Sequence, residues 1–245
     1  DTIVVDRGGV TQEFQGVTSI VAAGSDGADR IRIDSTVTVP VDLAGGEGDD
    51  VLEAGGGPAV LRGGPDNDRL TGSDLADTLY GDGGNDVLIG GRGSDQLFGG
   101  AGKDELHAGV TNQPADGGSL NLLVGGPDAD IIYGDQGVDT IYGDLQNSTN
   151  TNSGTTDGND KVIAAGGDDV IYVHGGDDVV DAGTGNDRVY AGDGSDELIG
   201  GRGSDQLFGG AENDVLHAGV TNRPADGGSL NLLVGGPGAD IIYGD

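Results

Sequence analysis

From Ala164 to His217 the apolar and polar positions repeat every nine residues, in six units that follow one another without a break. AGTGNDRVY (Ala182 to Tyr190), AGDGSDELI (Ala191 to Ile199) and GGRGSDQLF (Gly200 to Phe208) show the form. Small residues and glycines lead to an Asp in sixth place, and a three-residue strand with an aliphatic centre follows. That centre, the eighth position, is Leu52, Leu70, Leu79, Leu88, Leu97, Leu106, Ile132, Ile141, Ile171, Val180, Val189, Leu198, Leu207 and Leu216. Alternation in so short a strand turns the central side chain inward and its neighbours outward. Nine residues cannot bury an apolar face alone and must stack on their neighbours, so the pattern predicts an all-β, parallel solenoid. Two nonapeptides make one coil, with a strand on each of two facing sheets.

The phase divides the chain. Residues 1–44 are less regular, but TIVV (Thr2 to Val5), SIVA (Ser19 to Ala22), RIRI (Arg30 to Ile33) and TVTVPVDL (Thr36 to Leu43) are β-branched runs parted by Gly and Asp,. With Gly24 to Arg32 a loose copy of the unit, this region is expected to be an irregular lead-in to the same solenoid. Over 45–245 the register is strict apart from insertions at 108–124, 143–163 and 218–234, which are expected to protrude as loops,. A longer period lies above the nonapeptide: 88–135 reappears as 198–245, loop included, which points to tandem duplication. The last residues, Gly244 and Asp245, begin another unit, so the chain is expected to be a piece of something longer.

Composition narrows the function classes. A formal charge of -32, from 43 acidic and 11 basic residues, repels nucleic acid and anionic membrane and calls for cations,. With 53 glycines, no Cys, Met or Trp and few aromatics, only a thin core is available, and the metal-free chain is expected to be disordered,. Absence of Cys rules out disulfides and thiolate metal sites and fits a secreted protein,.

The aspartates follow from the geometry. Units 18 residues apart stack at the strand spacing of about 4.8 Å, so Asp169, Asp187 and Asp205 line one edge and Asp178, Asp196 and Asp214 the other. Carboxylates about 5 Å apart repel by roughly 3 kcal/mol per pair at an effective dielectric of 20. A hard cation with six to eight oxygen ligands suits carboxylates and glycine-exposed carbonyls without nitrogen or sulfur, which favours calcium over magnesium. Asp favours turns even without metal, but capping alone does not require so strict a phase. No stretch carries the alternating ligands and closing Glu of an EF-hand,.

GGEGDDVLE, GDGGNDVLI, GGRGSDQLF and AGTGNDRVY resemble the GGxGxDxUx repeat of the RTX (repeats-in-toxin) family of haemolysin-type calcium-binding proteins,. The resemblance covers about Gly45 to Asp245 and implies a right-handed parallel β-roll holding multiple Ca2+ ions. It also implies unfolded secretion, of the bacterial type I kind, to the cell surface or extracellular space, and folding in calcium there. Carried over by position, the metal ligands are Asp50, Asp68, Asp77, Asp86, Asp95, Asp104, Asp130, Asp139, Asp160, Asp169, Asp178, Asp187, Asp196, Asp205, Asp214 and Asp240. Ala59, Asn121 and Asn231 break the pattern, and sites beside them are expected to be weak or absent.

Other chemistry is sparse. Position nine holds Tyr80, Phe98, Tyr133, Tyr142, Tyr172, Tyr190, Phe208 and Tyr243, which should face outward, with Tyr80 stacked on Phe98 and Tyr190 on Phe208. They read as cross-strand packing, or as a strip for glycans or lateral association. His107, His174 and His217 have no HExxH context, Ser94 and Ser204 no nucleophile elbow, and the glycine turns no phosphate-loop Lys,. The expectation is a calcium-binding structural segment without enzymatic activity, serving as stalk, spacer or assembly unit in a filament or surface layer. The alternatives are a carbohydrate-binding adhesin, or the secretion and folding module of an enzyme or toxin. Neither membrane insertion nor nucleic-acid binding is expected.

Overall fold

A computed structural model of the chain describes residues 2–7, 10–109, 119–144, 157–219 and 230–244, with side chains from Gln15 onward. All its regular elements are strands. Two parallel sheets of eleven strands each face one another, and successive strands alternate between them. One sheet runs from Ile20–Ala23 to Leu232–Val234 and the other from Arg30–Arg32 to Ile241–Tyr243. Ten steps at about 4.8 Å make a solenoid roughly 50 Å long.

The eighth-place side chains stack in register. Leu88 pairs with Leu70 on one side and Leu106 on the other, and Leu97 with Leu79 and Leu123. All fourteen eighth-place residues named above are fully buried. The flanking seventh and ninth residues are partly or well exposed, as in the iBi pattern of Val87–Ile89. The core is therefore two columns of aliphatic side chains, one per sheet, which is all that a chain without Met or Trp and with few aromatics could fill.

The insertions leave the sheets in register. Gln96 pairs with Leu122, 26 residues on, and Ile131 with Lys161, 30 residues on, where uninterrupted coils take 18. The protruding loops expected within the insertions fall on 110–118, 145–156 and 220–229, outside the described residues.

The lead-in differs from expectation. From Ile20 onward it is solenoidal, but Thr2–Arg7 and Val10–Gln15 pair antiparallel in a separate two-stranded sheet. The reason is legible afterwards. Two six-residue runs separated by Gly8-Gly9 carry the composition of a tight hairpin, and neither contains the Asp and Gly spacing that would turn it into a rung,. TVTVPVDL likewise yields only Val41–Ala44 as strand, with Pro40 just ahead of it.

Glycine serves two purposes. Among the described residues from Gly24 onward, every residue with positive φ sits in second or fourth place of its unit. Non-glycines there, Asp66, Asp82, Asp128, Ala165, His174 and Glu212, keep φ between 73° and 81°, whereas glycines such as Gly91 (120°) and Gly185 (149°) go where a Cβ would clash,. First-place glycines do not share this role. They make room, since a Cβ on Gly45 would lie 2.0 Å from Asp50 Oδ2. Where the first residue is Ala164, Ala182 or Ala191, its methyl joins the core instead.

A Cβ at Gly185 would stand 1.5 Å from the Gly167 carbonyl oxygen, at a φ that L residues rarely adopt, while one at Gly83 meets nothing within 4 Å. Gly185→Ala should therefore destabilise the folded chain by about 1–3 kcal/mol or more, and Gly83→Ala should be near neutral. Thermal melts of the two variants check the contrast.

Candidate metal centre

The sixth-place aspartates end each turn immediately before the strand, and the inward alternation that buries position eight buries them too. Every one from Asp50 to Asp214 is 3% exposed or less, and Asp240 is half-buried. They were expected to line the edges of the coil, where mutual repulsion would be the main cost. They lie inside it, and loss of hydration is the larger cost.

Each carboxylate has two distinct oxygens. Oδ1 accepts the backbone N–H of the sixth-place residue one coil earlier: Asp50 N–H donates to Asp68 Oδ1 at 2.8 Å, Asp68 to Asp86 at 2.7 Å, Asp169 to Asp187 at 2.9 Å and Asp178 to Asp196 at 2.9 Å. Two ladders result. The longer runs from Asp29 through Asp50, Asp68, Asp86, Asp104, Asp130, Asp160, Asp178, Asp196 and Asp214 to Asp240. The other joins Asp77 to Asp95, and Asp139 to Asp169, Asp187 and Asp205, with Ala59, Asn121 and Asn231 standing where Asp is missing. The expected two-sided arrangement is thus present, including its three breaks.

Oδ2 divides the aspartates into two kinds. In Asp50, Asp68, Asp86, Asp104, Asp130, Asp160, Asp169, Asp178, Asp187, Asp196 and Asp214 it is buried without a hydrogen-bond donor. In Asp29, Asp77 and Asp139 it accepts the N–H of the second residue of its own unit, Ser25 (2.9 Å), Ser73 (2.5 Å) and Asp135 (2.9 Å). Asp160 aside, the second residue's backbone separates the two kinds. Left-handed Gly46, Gly91, Gly100, Gly126 and Gly210 send their N–H to a carbonyl of the next coil, as Gly46 does to Gly63 O at 3.1 Å. Ser25, Ser73 and Asp135 are not left-handed, and their N–H turns back onto the carboxylate. Asn121 completes the capping of Asp139 by donating Nδ2–H to its Oδ1 at 2.8 Å.

An orphaned, buried carboxylate oxygen repeated rung after rung fits a hard cation, which supplies what no donor does. The remaining ligands would be backbone oxygens. Second-place and fourth-place carbonyls such as Gly46 O and Gly167 O point along the axis, 2.2 Å and 1.5 Å from where a Cβ on Gly64 and Gly185 would lie. Among the described residues no three acidic or histidine side chains converge as a metal group, so carboxylates alone do not make a centre here. Sequence reasoning found the acids but not the distinction between capped and open ones, although Ser or Asp against Gly in second place carries part of that signal. It also missed Asp144, a second-place acid that is 2% exposed.

Burial is the leading cause of raised carboxyl pKa values along both ladders, and the charge of neighbouring acids adds to it. Asp86 and Asp104 are pushed up to about 6, Asp68 and Asp187 to about 7, Asp169 and Asp178 to about 8 and Asp130 to about 9. Groups whose folded pKa exceeds the unfolded value of about 4 take up protons on folding. Without metal, stability is therefore greatest below about pH 4 and falls as pH rises through the range from about 6 to about 9. In a chelator, circular dichroism should show more β structure at pH 4 than at pH 8. Greater order at pH 8 would contradict the assignment.

No curated protein matches the chain. The sequence profile of the RTX calcium-binding nonapeptide repeat matches residues 44–79, 71–106, 116–149, 154–189, 190–222 and 226–245, which is most of the chain and includes both ladders from Asp50 onward. Repeat, parallel β-solenoid and buried aspartate ladders agree, and the chain belongs to the family of RTX calcium-binding nonapeptide repeat proteins.

Proposed function

We propose that this chain is a calcium-stabilised structural segment of a secreted or cell-surface protein, a stalk, spacer or assembly unit that folds when it meets extracellular calcium. The observation that carries the reading is the column of buried, donorless Oδ2 atoms along both ladders. Inside a cell, where free calcium is scarce, their desolvation opposes folding; outside, calcium compensates it. The ion ligands in this reading are the sixth-place aspartates with an open Oδ2, together with turn carbonyls, and no residue has a catalytic role. Among the described residues no helix is long and apolar enough to cross a membrane.

The aromatic strip bears on the adhesin alternative. Tyr142, Tyr172, Tyr190 and Phe208 form one continuous stack with centroids 4.8 to 5.3 Å apart, and Tyr80 lies 5.1 Å from Phe98 under Arg62. Rings stacked this closely spend their faces on one another and present edges outward. Sugar binding to aromatics uses the free face of a ring, so the stack favours cross-strand stabilisation over glycan capture.

Two measurements follow. Chelation should abolish the β signal in circular dichroism, calcium should restore it, and magnesium at the same concentration should not; a β signal unchanged by chelation would sink the reading. Asp187→Asn should weaken calcium binding by roughly tenfold, about 1.4 kcal/mol. Asp77→Asn, at a capped position, should cost about 1 kcal/mol of stability and leave the number of bound ions unchanged in calorimetric titration.

A further inference from the structure

Asp144 does not belong to the nonapeptide signature. It is the second residue of the unit that begins at Gly143, immediately before the segment 145–156, and Asp160 is that unit's sixth-place residue. On the longer ladder the second place is otherwise left-handed from Gly46 to Gly236, and only Asp82 and His174 bring a side chain there. Asp144 is not left-handed, is 2% exposed, and its Oδ2 accepts the Gly158 N–H at 3.0 Å. Its Oδ1 is buried with no hydrogen-bond partner.

Asp160 Oδ2 is orphaned in the same way, and it lies against Gly143, where a Cβ would stand 2.0 Å from it. Asp160 exerts the strongest charge effect on Asp144, followed by Asp157 and Asp128. This rung therefore holds two donorless carboxylate oxygens where its neighbours hold one. Two buried carboxylate oxygens without a donor in one turn are an arrangement that a cation, and no side chain seen beside them, would satisfy,.

We propose that Asp144, a side chain outside the nonapeptide signature, joins the sixth-place Asp160 in holding a divalent cation, calcium in an extracellular setting, between the residues that flank the 145–156 segment. The site rests on the calcium reading above, but its carboxylate pair comes from a single turn instead of from successive coils. With an extra negative charge it binds more tightly than the other rungs. Asp144 precedes the segment and Asp157 to Asp160 follow it, so the ion clamps entry to exit and lets an insertion interrupt the repeat without opening the ladder.

Calcium titration of the 245-residue chain and of Asp144→Asn, by calorimetry with ion counting in native mass spectrometry, tests this. The amide keeps an acceptor for Gly158 N–H and removes the charge. The expected result is one ion fewer per chain, or at least a tenfold loss at the tightest step, with a lower melting temperature in saturating calcium. An unchanged ion count with an equal or higher melting temperature would overturn it, because a carboxylate with no ion to bind gains nothing from its charge. If Asp144→Asn does not fold, Asp144→Glu decides, with weakened calcium affinity supporting the site and unchanged affinity excluding it. A parent chain that binds no calcium defeats the broader reading; a parent that binds and a variant that binds equally defeats this site alone.

Discussion

The solenoid depends on buried sixth-place carboxylates whose Oδ1 is satisfied by the neighbouring coil and whose Oδ2, from Asp50 to Asp214 on the longer ladder and at Asp169 and Asp187 on the other, has no donor. Oδ1 ties each coil to its neighbour by accepting the N–H of the Asp 18 residues earlier, as between Asp178 and Asp196 at 2.9 Å. That bond needs the carboxylate inside the turn, and inside the turn its other oxygen has lost water. The stacking contact that builds the fold thus creates the electrostatic cost.

The thin core explains why such an arrangement is tolerated. Two columns of Leu, Ile and Val, fully buried but one residue wide, give each coil little apolar area, and the gain is shared between neighbours only,. A globular domain could bury a few charged groups against a large hydrophobic surplus. Here nearly every nonapeptide buries a carboxylate beside its aliphatic residue, so no such surplus is at hand.

The ladders are not equivalent. The longer one carries open carboxylates from Asp50 to Asp214, whereas the other is neutral or capped at Ala59, Asp77, Asn121 and Asp139 and regains open acids at Asp169 and Asp187. At Asp77 and Asp139 that edge is satisfied by the protein's own donors. Demand for cations is greatest over the uninterrupted run from Ala164 to His217, where both edges are open.

The nine-residue period by itself determined the solenoid, the two sheets, the inward aliphatic column and the membership of each Asp in one ladder or the other, because all of these follow from spacing. The stacked pairs Tyr80 with Phe98 and Tyr190 with Phe208 were legible for the same reason. Whether a carboxylate is open or capped was decided by the tertiary structure. That depends on the φ of the second residue and on where its N–H turns, and Asp82, Ala165 and His174 adopt the left-handed state while Ser73 and Asp135 do not. The burial of Asp144 was likewise decided by packing around a turn whose two halves are separated by an insertion, which a local repeat cannot record.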